Sequence, residues 1–445
     1  MSELDRAHRI APLRAFPTVD QLHSALAEVA RTHPDRVTIT EIGRSRAGEP
    51  LRAVRVGGGA RQIVVIGNPH PNEPIGMATI EHLVRALAAG ADTLGATWHF
   101  VPCIDPDGTR LNEGWFAGPR TRTAVAAEFY RPPATEQPEW AFPVSWDGAL
   151  VGTPLPETEA LMTLIDRVRP ALIASLHNAD FGGGYFYTSG GDASYWSALT
   201  GLLTGADIPV HDGEPDAPGA RRWARGVFEV PTFTTMAEAL TAAGVEPVAA
   251  LGGGGCRDYA AKYGAAVLVC ELPLRLDARI ADTSPSGRTL GEVCDEVAGR
   301  YYALAAEAAL VLDRIADGLD GSSPFERAVR ALVEALPGLA EVKEATPERD
   351  RAATRGEVFT ERHCWLGMFR LRLGGMLVRL LDELVATGHV SARAERIRFG
   401  AIFEAWCAEE EEHAPGEAIP LELLVGIQAG AIATAARRSR DGLPI

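Results

Sequence analysis

The fold is decided by residues 63–80, which read IVVIGNPHPNEPIGMATI. The unbroken apolar run at 63–66 is typical of a central strand that helices cover on both faces. Proline at position 74 favours the start of a helix, because its missing N–H falls in the first turn. The stretch therefore predicts a strand, a corner and a helix, with His70 and Glu73 at the corner.

Three later apolar runs resemble the first, and they predict strands at 99–104, 171–176 and 265–270. Alternating residues predict a hairpin from two further strands, 37–42 and 51–56. Apolar periodicity predicts helices at 19–32, 75–89, 157–168, 195–203 and 290–315. Strands that alternate with helices indicate the α/β class, here a mixed twisted sheet flanked by helices in a domain of residues 1–316.

The C-terminal part has a different character. Residues 317–324 read DGLDGSSP and predict a linker, because glycine, serine and proline end helices and add flexibility. Beyond it we find no convincing strand, so the sequence predicts an all-α module at 325–445. This module is also our candidate surface for forming a homo-oligomer. Its predicted helices are 327–335, 361–386, 392–412 and 421–437.

Composition excludes several classes of protein. The 445 residues include 43 Lys plus Arg and 59 Asp plus Glu, for a net charge of −16. That field repels nucleic acid. The six cysteines form no Cys-x-x-Cys pair, which argues against a disulfide framework and a cysteine zinc site. We see no long apolar run and no cationic leader at the N-terminus, so we expect a cytoplasmic protein with no membrane or nucleic-acid partner.

Polar side chains follow three of the four apolar runs. His70 and Glu73 come after the first, His177 after the third and Glu271 after the fourth. Loops at the carboxyl edge of a sheet can bring such groups together. Two His and one Glu with an open fourth position make a catalytic zinc arrangement, so we predict one Zn²⁺ per chain on His70, Glu73 and His177. Zinc lowers the pKa of bound water from about 15.7 toward ~7.

Glu271 ends a strongly apolar run, where an unpaired carboxylate is costly. Beside the zinc it would act as general base and return the proton to the leaving amine. The alternative is a salt bridge to Arg275. A second His-x-x-Glu, at 211–214, lies in a turn-rich stretch without a following helix, and we interpret it as a solvated loop.

Four motifs in order resemble the zinc carboxypeptidases of the carboxypeptidase A type. They are His70-Pro-Asn-Glu73, Asp105-Pro-Asp-Gly108, Ser175-Leu-His177 and Cys270-Glu271-Leu-Pro273. The resemblance covers residues 14 to 312. It implies the fold of that family, a zinc ion on the first and third motifs, and hydrolysis of a peptide or amide bond.

Two departures from the family pattern concern substrate binding. The family places an arginine just after an asparagine near the Pro-Asp-Gly turn, to clamp the substrate carboxylate, whereas this chain has Asn112 followed by Glu-Gly-Trp. We assign Asn112 with Arg110 or Arg131 to substrate binding, with Arg120 and Arg122 as further candidates. The family's tyrosine before the base also has no counterpart, which leaves Tyr185, Tyr187, Tyr259 and Tyr263 open.

The sequence thus predicts a zinc metallohydrolase that acts on a small peptide or amino-acid conjugate. One alternative is an N-acyl amino acid deacylase of the same fold, because the clamp and the tyrosine are missing. The other is a non-catalytic scaffold that binds a partner through its helical tail.

Overall fold

The computed structural model describes residues 10–211 and 217–445. Its first part alternates strands with helices. The elements up to the middle of the sheet are α1 (Val19–Thr32), β1 (Val37–Arg44), β2 (Pro50–Gly57), β3 (Arg61–Gly67), α2 (Ile75–Ala88), β4 (Ala96–Val101), α3 (Pro106–Arg110), α4 (Arg122–Ala127), β5 (Val144–Trp146), β6 (Ala149–Val151), α5 (Pro156–Val168) and β7 (Leu172–Phe181).

The next part of the chain contains the remaining central strand of the sheet, several shorter strands and several helices. These elements are β8 (Tyr185–Thr188), α6 (Ala193–Thr204), β9 (Arg222–Ala224), β10 (Val227–Glu229), α7 (Phe233–Ala242), α8 (Pro247–Leu251), α9 (Cys256–Ala260), β11 (Ala266–Leu276), β12 (Pro285–Thr289) and α10 (Leu290–Arg314).

The C-terminal region is helical, as predicted, and it also contains two very short strands. Its elements are α11 (Pro324–Glu344), β13 (Ala352–Thr354), α12 (Arg355–Phe359), a π-helical segment (Thr360–Leu366), α13 (Gly367–Ala386), α14 (Val390–His413), β14 (Glu417–Ala418) and α15 (Leu421–Arg440). Strand β13 pairs with β12 outside the main sheet.

Ten of the described strands form one mixed sheet, as predicted. Its order is β1-β2-β4-β3-β7-β11-β8-β10-β9, with β14 added at the end of β11. The pairs β4/β3, β3/β7 and β7/β11 are parallel, so these strands end at one edge of the sheet. The β1/β2 hairpin is antiparallel, as the alternating residues predict.

One predicted strand is displaced along the chain. The run at 99–104 predicts a strand there, but β4 spans Ala96–Val101. The strand ends at Val101 because the next residue, Pro102, has no N–H to donate to a neighbouring strand. Its start follows Gly95, whose φ of 66° marks a turn.

Both faces of the sheet are covered. On one face β3, β7 and β11 pack against α1, α2, α6 and α15 in a large apolar core. On the other face Leu161, Leu164 and Ile165 of α5 pack against alternate residues of the same strands, with Cys256 and Ala260 of α9. The central strands are therefore buried on both sides, which explains their unbroken apolar sequences.

The division into residues 1–316, a linker at 317–324 and a module at 325–445 stays a prediction, but packing crosses it. Helix α15 lies against α2 in the core of the sheet, where Leu424, Val425 and Ile432 are fully buried. Helices α11, α13 and α14 share a second core with α10 and α4. The C-terminal helices are thus packed onto the sheet-bearing part over two surfaces.

Among the described residues, no helix combines the length and apolar character that crossing a bilayer requires.

Candidate metal centre and active site

The four residues predicted at strand ends lie together at the carboxyl edge of the sheet. His70 and Glu73 are in the loop between β3 and α2, and His177 and Glu271 are register partners on β7 and β11. The two strands continue beyond their predicted ends, since their ladder runs on to the pair Phe181 and Arg275. His177 and Glu271 therefore lie within strands, which hold them more rigidly than loops would.

The three predicted ligands form a compact cluster. One ligand atom from each of His70, Glu73 and His177 lies within 4.8 Å of the others. All three residues are buried, and His70 Nδ1 has no hydrogen-bond partner among the described residues. His177 Nδ1 lies 2.9 Å from Glu73 Oε2. A buried imidazole nitrogen without a partner, facing a second imidazole and a carboxylate, is a donor set that zinc binds.

Burial and nearby charges shift the pKa of each cluster residue. Burial and the nearby Arg131 lower the pKa of His70 to about 3, which keeps its ring neutral. Burial alone would raise the pKa of Glu73, but His70, His177 and Arg131 outweigh it and lower the pKa. A neutral imidazole and an ionised carboxylate are the forms that bind metal. Burial alone would lower the pKa of His177, but the carboxylates of Glu139, Glu73 and Glu271 outweigh it and raise the pKa well above its usual value, so a bound cation would displace a proton from this ring.

The far side of the His177 ring is held by residues that the sequence pattern did not single out as functional. Nε2 lies 3.0 Å from Glu139 Oε2 and 3.1 Å from Ser175 Oγ. Ser175 also donates to Glu139 Oε1 at 3.1 Å. A carboxylate behind a ligand histidine fixes the ring orientation and makes the nitrogen on its other side a better donor.

Glu271 lies beside the cluster rather than in it. Its Oε1 is 3.6 Å from His177 Nδ1, and the residue is 8% exposed. The alternative partner, Arg275, donates its N–H groups instead to backbone carbonyls of Arg120, Pro415 and Gly416.

Of the three residues predicted to bind substrate, the structure brings only Arg131 to this site. Its Nη1 donates to Glu73 Oε1 at 2.9 Å, and it lines the cavity described below. Arg110 instead pairs with Asp20 and Glu49, at 2.8 and 2.7 Å.

Asn112 is buried and fully engaged in the loop that it belongs to. Its amide donates to the carbonyls of Gly108 and Tyr130, and its oxygen accepts from Tyr130 N–H and from the Trp115 indole. These hydrogen bonds occupy the Asn112 amide within its own loop, and contact between Asn112 and substrate stays a prediction. The observed role of Asn112 is to hold this loop to the following chain.

Of the other arginine and tyrosine candidates, some are engaged away from the cluster and two line the cavity. Arg122 forms a buried ion pair with Glu410 of α14, and Arg120 donates to the carbonyl of Arg14. Tyr259 and Tyr263 both donate to Asp166. Tyr185 and Tyr187 line the cavity.

A cavity of about 1520 Å³ opens from the cluster. One wall comes from the sheet edge and from Trp140, whose ring stacks on His70 at 6.3 Å between centroids. Another wall comes from the C-terminal region, including Thr360, Cys364 and Trp365 of the π-helical segment. His211 also lines the cavity, but Glu214 of the second His-x-x-Glu lies outside the described residues.

The C-terminal helix also contacts the cluster through the backbone. Gln428 of α15 is fully buried, and its amide donates to the carbonyl of His177 at 2.9 Å. Thr79 of α2 donates to the Gln428 oxygen at 2.7 Å. Only one sequence signal could have revealed these neighbours, namely that Ser175 and His177 are two apart and share a strand face. Glu139 and Gln428 reach His177 through chain folding alone.

Comparison with known proteins agrees with this geometry. The family model described as zinc carboxypeptidase matches residues 22–199, which include all three cluster residues. Zinc carboxypeptidase A 1 of Anopheles gambiae is 26% identical over 101 residues, and carboxypeptidase E of Caenorhabditis elegans is 31% identical over 110 residues. Each alignment covers 21% of this chain and 23% of the relative, so the matched segment spans about a quarter of these curated proteins.

Solved structures give remote similarities. Carboxypeptidase A from Helicoverpa armigera is 15% identical, with 61% of this chain and 69% of that chain covered and a TM-score of 0.41. Bovine thrombin-activatable fibrinolysis inhibitor, in complex with tick carboxypeptidase inhibitor, is 14% identical, with 57% and 86% covered and a TM-score of 0.39.

Proposed function

We propose that this protein is a member of the zinc carboxypeptidase family, whose model matches residues 22–199, and that it hydrolyses an amide or peptide bond in a small peptide or amino-acid conjugate with the help of zinc. One observation carries the proposal. Three buried ligand atoms of His70, Glu73 and His177 lie within 4.8 Å of one another, and Glu271 lies beside them in the lining of a large cavity.

These residues fit a catalytic zinc ion. Two imidazoles and one carboxylate leave a fourth position for water or substrate, unlike closed structural sites. When bound, zinc polarises a carbonyl and makes hydroxide available at neutral pH.

The chain's own residues then perform the proton transfers. Glu271 takes a proton from the attacking water and delivers it to the nitrogen of the leaving amine. Its place on β11, in register with His177, keeps the carboxylate at a fixed distance from the cluster. Arg131 brings positive charge to the same wall, where it stabilises negative charge that develops on the reacting carbonyl oxygen.

Glu139 and Ser175 act behind His177. They fix the ring so that Nδ1 faces Glu73 and the cavity. Their contribution is to orient a ligand rather than to contact substrate.

An N-acyl amino acid deacylase is the second candidate. It is favoured by the contacts of Arg110 and Asn112, which engage both side chains within the protein. Both candidates use the same cluster and differ in which side of the amide bond is recognised.

The test is a substrate screen with the zinc-loaded protein. Small peptides with free and with amidated C-termini, and N-acyl amino acids, are each compared between the wild type and Glu271→Gln. Turnover of peptides that needs both a free C-terminus and Glu271 supports the carboxypeptidase assignment. Turnover confined to N-acyl amino acids supports the deacylase, and absence of any Glu271-dependent turnover contradicts both.

A further inference from the structure

Arg257 is exceptional among the basic side chains that line the cavity, because it has no ion-pair partner among the described residues. It lines the same cavity as the cluster and is half-buried. Arg225 has an interaction of its own. The remaining basic residues of the cavity are each paired with a carboxylate, namely Arg131 with Glu73, Lys343 with Glu361, Arg351 with Glu357 and Arg372 with Asp180.

Asp258 is the acidic neighbour of Arg257, and the two charges interact, but no hydrogen bond or ion pair joins them among the described residues. The Arg257 Nε is buried and has no hydrogen-bond partner among the described residues. The neighbouring carboxylate of Asp258 accepts from the backbone N–H groups of Gly255 and Phe233 instead. An unpartnered guanidinium donor in a half-buried position is costly unless a ligand supplies the acceptor.

Arg257 also belongs to the wall that supports the cluster. It lies in α9, directly after the segment that contains Gly254. Gly254 and Phe142 exchange two backbone hydrogen bonds, of 3.1 and 2.8 Å. Three residues before Phe142 is Glu139, which lies 3.0 Å from His177 Nε2. Backbone pairing therefore ties the Arg257 segment to the support of a cluster residue.

We propose that Arg257 binds a carboxylate of the substrate. Its planar guanidinium can donate two parallel hydrogen bonds to a carboxylate, which an ammonium cannot. It thereby supplies anionic recognition, whereas Arg110 and Asn112 are engaged within the protein. The inference rests on the proposed function, since it concerns the substrate of that same cavity. Two sources of the carboxylate share this chemistry, the C-terminus of a peptide and an acidic side chain.

The experiment measures ligand binding to the zinc-free protein by calorimetry, so that it does not depend on catalysis. N-acetylphenylalanine is compared with its amide, which tests the terminal carboxylate. N-acetylglutamate α-amide is compared with N-acetylglutamine α-amide, which tests the side-chain carboxylate. Each pair is titrated into the wild type, Arg257→Gln, Arg257→Lys and Arg351→Gln. The last variant removes the same charge from the same cavity, at a guanidinium that is already paired with Glu357.

We expect the wild type to bind one carboxylate ligand about 10- to 100-fold more tightly than its amide. Arg257→Gln should abolish this preference, Arg257→Lys should retain part of it, and Arg351→Gln should keep it. The pair that shows the preference identifies the source of the carboxylate. Equal preference in the wild type and a folded Arg257→Gln, or no preference in the wild type, overturns the proposal.

Thermal unfolding and zinc uptake show whether Arg257→Gln is folded. If Arg257→Gln does not fold, Arg257→Lys decides, because it keeps the charge but cannot donate two parallel hydrogen bonds to a carboxylate. A preference for the carboxylate ligand as large in Arg257→Lys as in the wild type would contradict bidentate binding. Failure of the proposed function is seen separately, as a wild type without Glu271-dependent turnover.

Discussion

The carboxyl edge of the sheet and the C-terminal helices contribute to one cavity in different ways. Along β3, β7 and β11 the functional groups follow apolar runs in the sequence, and parallel pairing brings them together. The C-terminal helices carry no such motif, yet they form part of the cavity wall and contact the backbone of His177. The sheet edge therefore supplies the functional side chains, whereas the shape of the cavity depends on how the C-terminal helices pack against the sheet.

The largest expected effect concerns the sheet edge itself. Glu271→Gln should lower turnover about 10³-fold while one zinc per chain remains bound, because the amide cannot take up the proton. Glu159→Gln, at an exposed position of α5, is the matched control and should leave turnover unchanged. Elemental analysis and steady-state kinetics provide the two readouts. Full activity of Glu271→Gln would remove this residue from the role of base.

The next effect tests whether the C-terminal helices depend on the sheet-bearing part. A Cβ at Gly375 of α13 would lie 1.7 Å from the carbonyl oxygen of Ala126 in α4. Gly375→Ala should therefore lower the free energy of unfolding by about 1–3 kcal/mol. Chemical denaturation measures the change.

Gly338→Ala is the control for that substitution. Gly338 lies in α11, where an added Cβ meets no atom within 4 Å. In a helix interior this change should be neutral or stabilise by up to about 1 kcal/mol. Equal effects of the two substitutions would mean that α13 and α4 do not depend on close contact.

A smaller effect tests the connection between α15 and the cluster. Gln428→Leu removes the hydrogen bonds to the His177 carbonyl and to Thr79, and we expect zinc affinity to fall about tenfold. Ser439→Ala, near the end of the same helix, should leave affinity unchanged. Competition with a chelator measures both. Unaltered affinity in Gln428→Leu would show that α15 supports the sheet without influencing the cluster.

The smallest effect depends on pH and concerns Asp105, at the end of the turn after β4. Burial raises the pKa of its carboxyl to about 7, from 3.8. The folded protein therefore holds a proton that the unfolded chain has lost, so stability falls as pH rises from about 4 to 7. Asp105→Asn keeps a good helix cap without this titration.

Relative to the wild type, Asp105→Asn should gain about 1 kcal/mol of stability between pH 6 and pH 7. Denaturation curves across pH 5 to 8 measure the difference. Asp107→Asn, in the same turn, is the control. A constant difference between Asp105→Asn and wild type at all pH values would show that Asp105 does not titrate in this range.

Local sequence predicted the strands and the residues of the cluster, because each of these residues follows an apolar run and parallel pairing brings the strand ends together. An apolar run identifies a buried strand, and the residue that follows it is placed by the strand. His70, Glu73, His177 and Glu271 were found in this way. Local sequence could not identify the substrate-binding residues in this way, because tertiary packing determines which carboxylate an arginine pairs with. Arg110 meets Asp20 and Glu49.

The C-terminal region shows the same limit on a larger scale. Periodicity identified its helices, but not that α15 would enter the core of the sheet or that Gln428 would meet His177. Those contacts join residues about 250 positions apart, for which no sequence spacing gives a signal. Localisation in the cytoplasm and assembly into a homo-oligomer through residues 325–445 stay predictions.

The register between β7 and β11 has a consequence for engineering. Because Glu271 is paired with His177 across a parallel ladder, slipping either strand by one residue would turn one of the two side chains to the opposite face. Libraries that aim to change selectivity should therefore leave both strands at their natural length. The wall from the C-terminal helices offers room for variation, because it does not set the spacing between base and ligand.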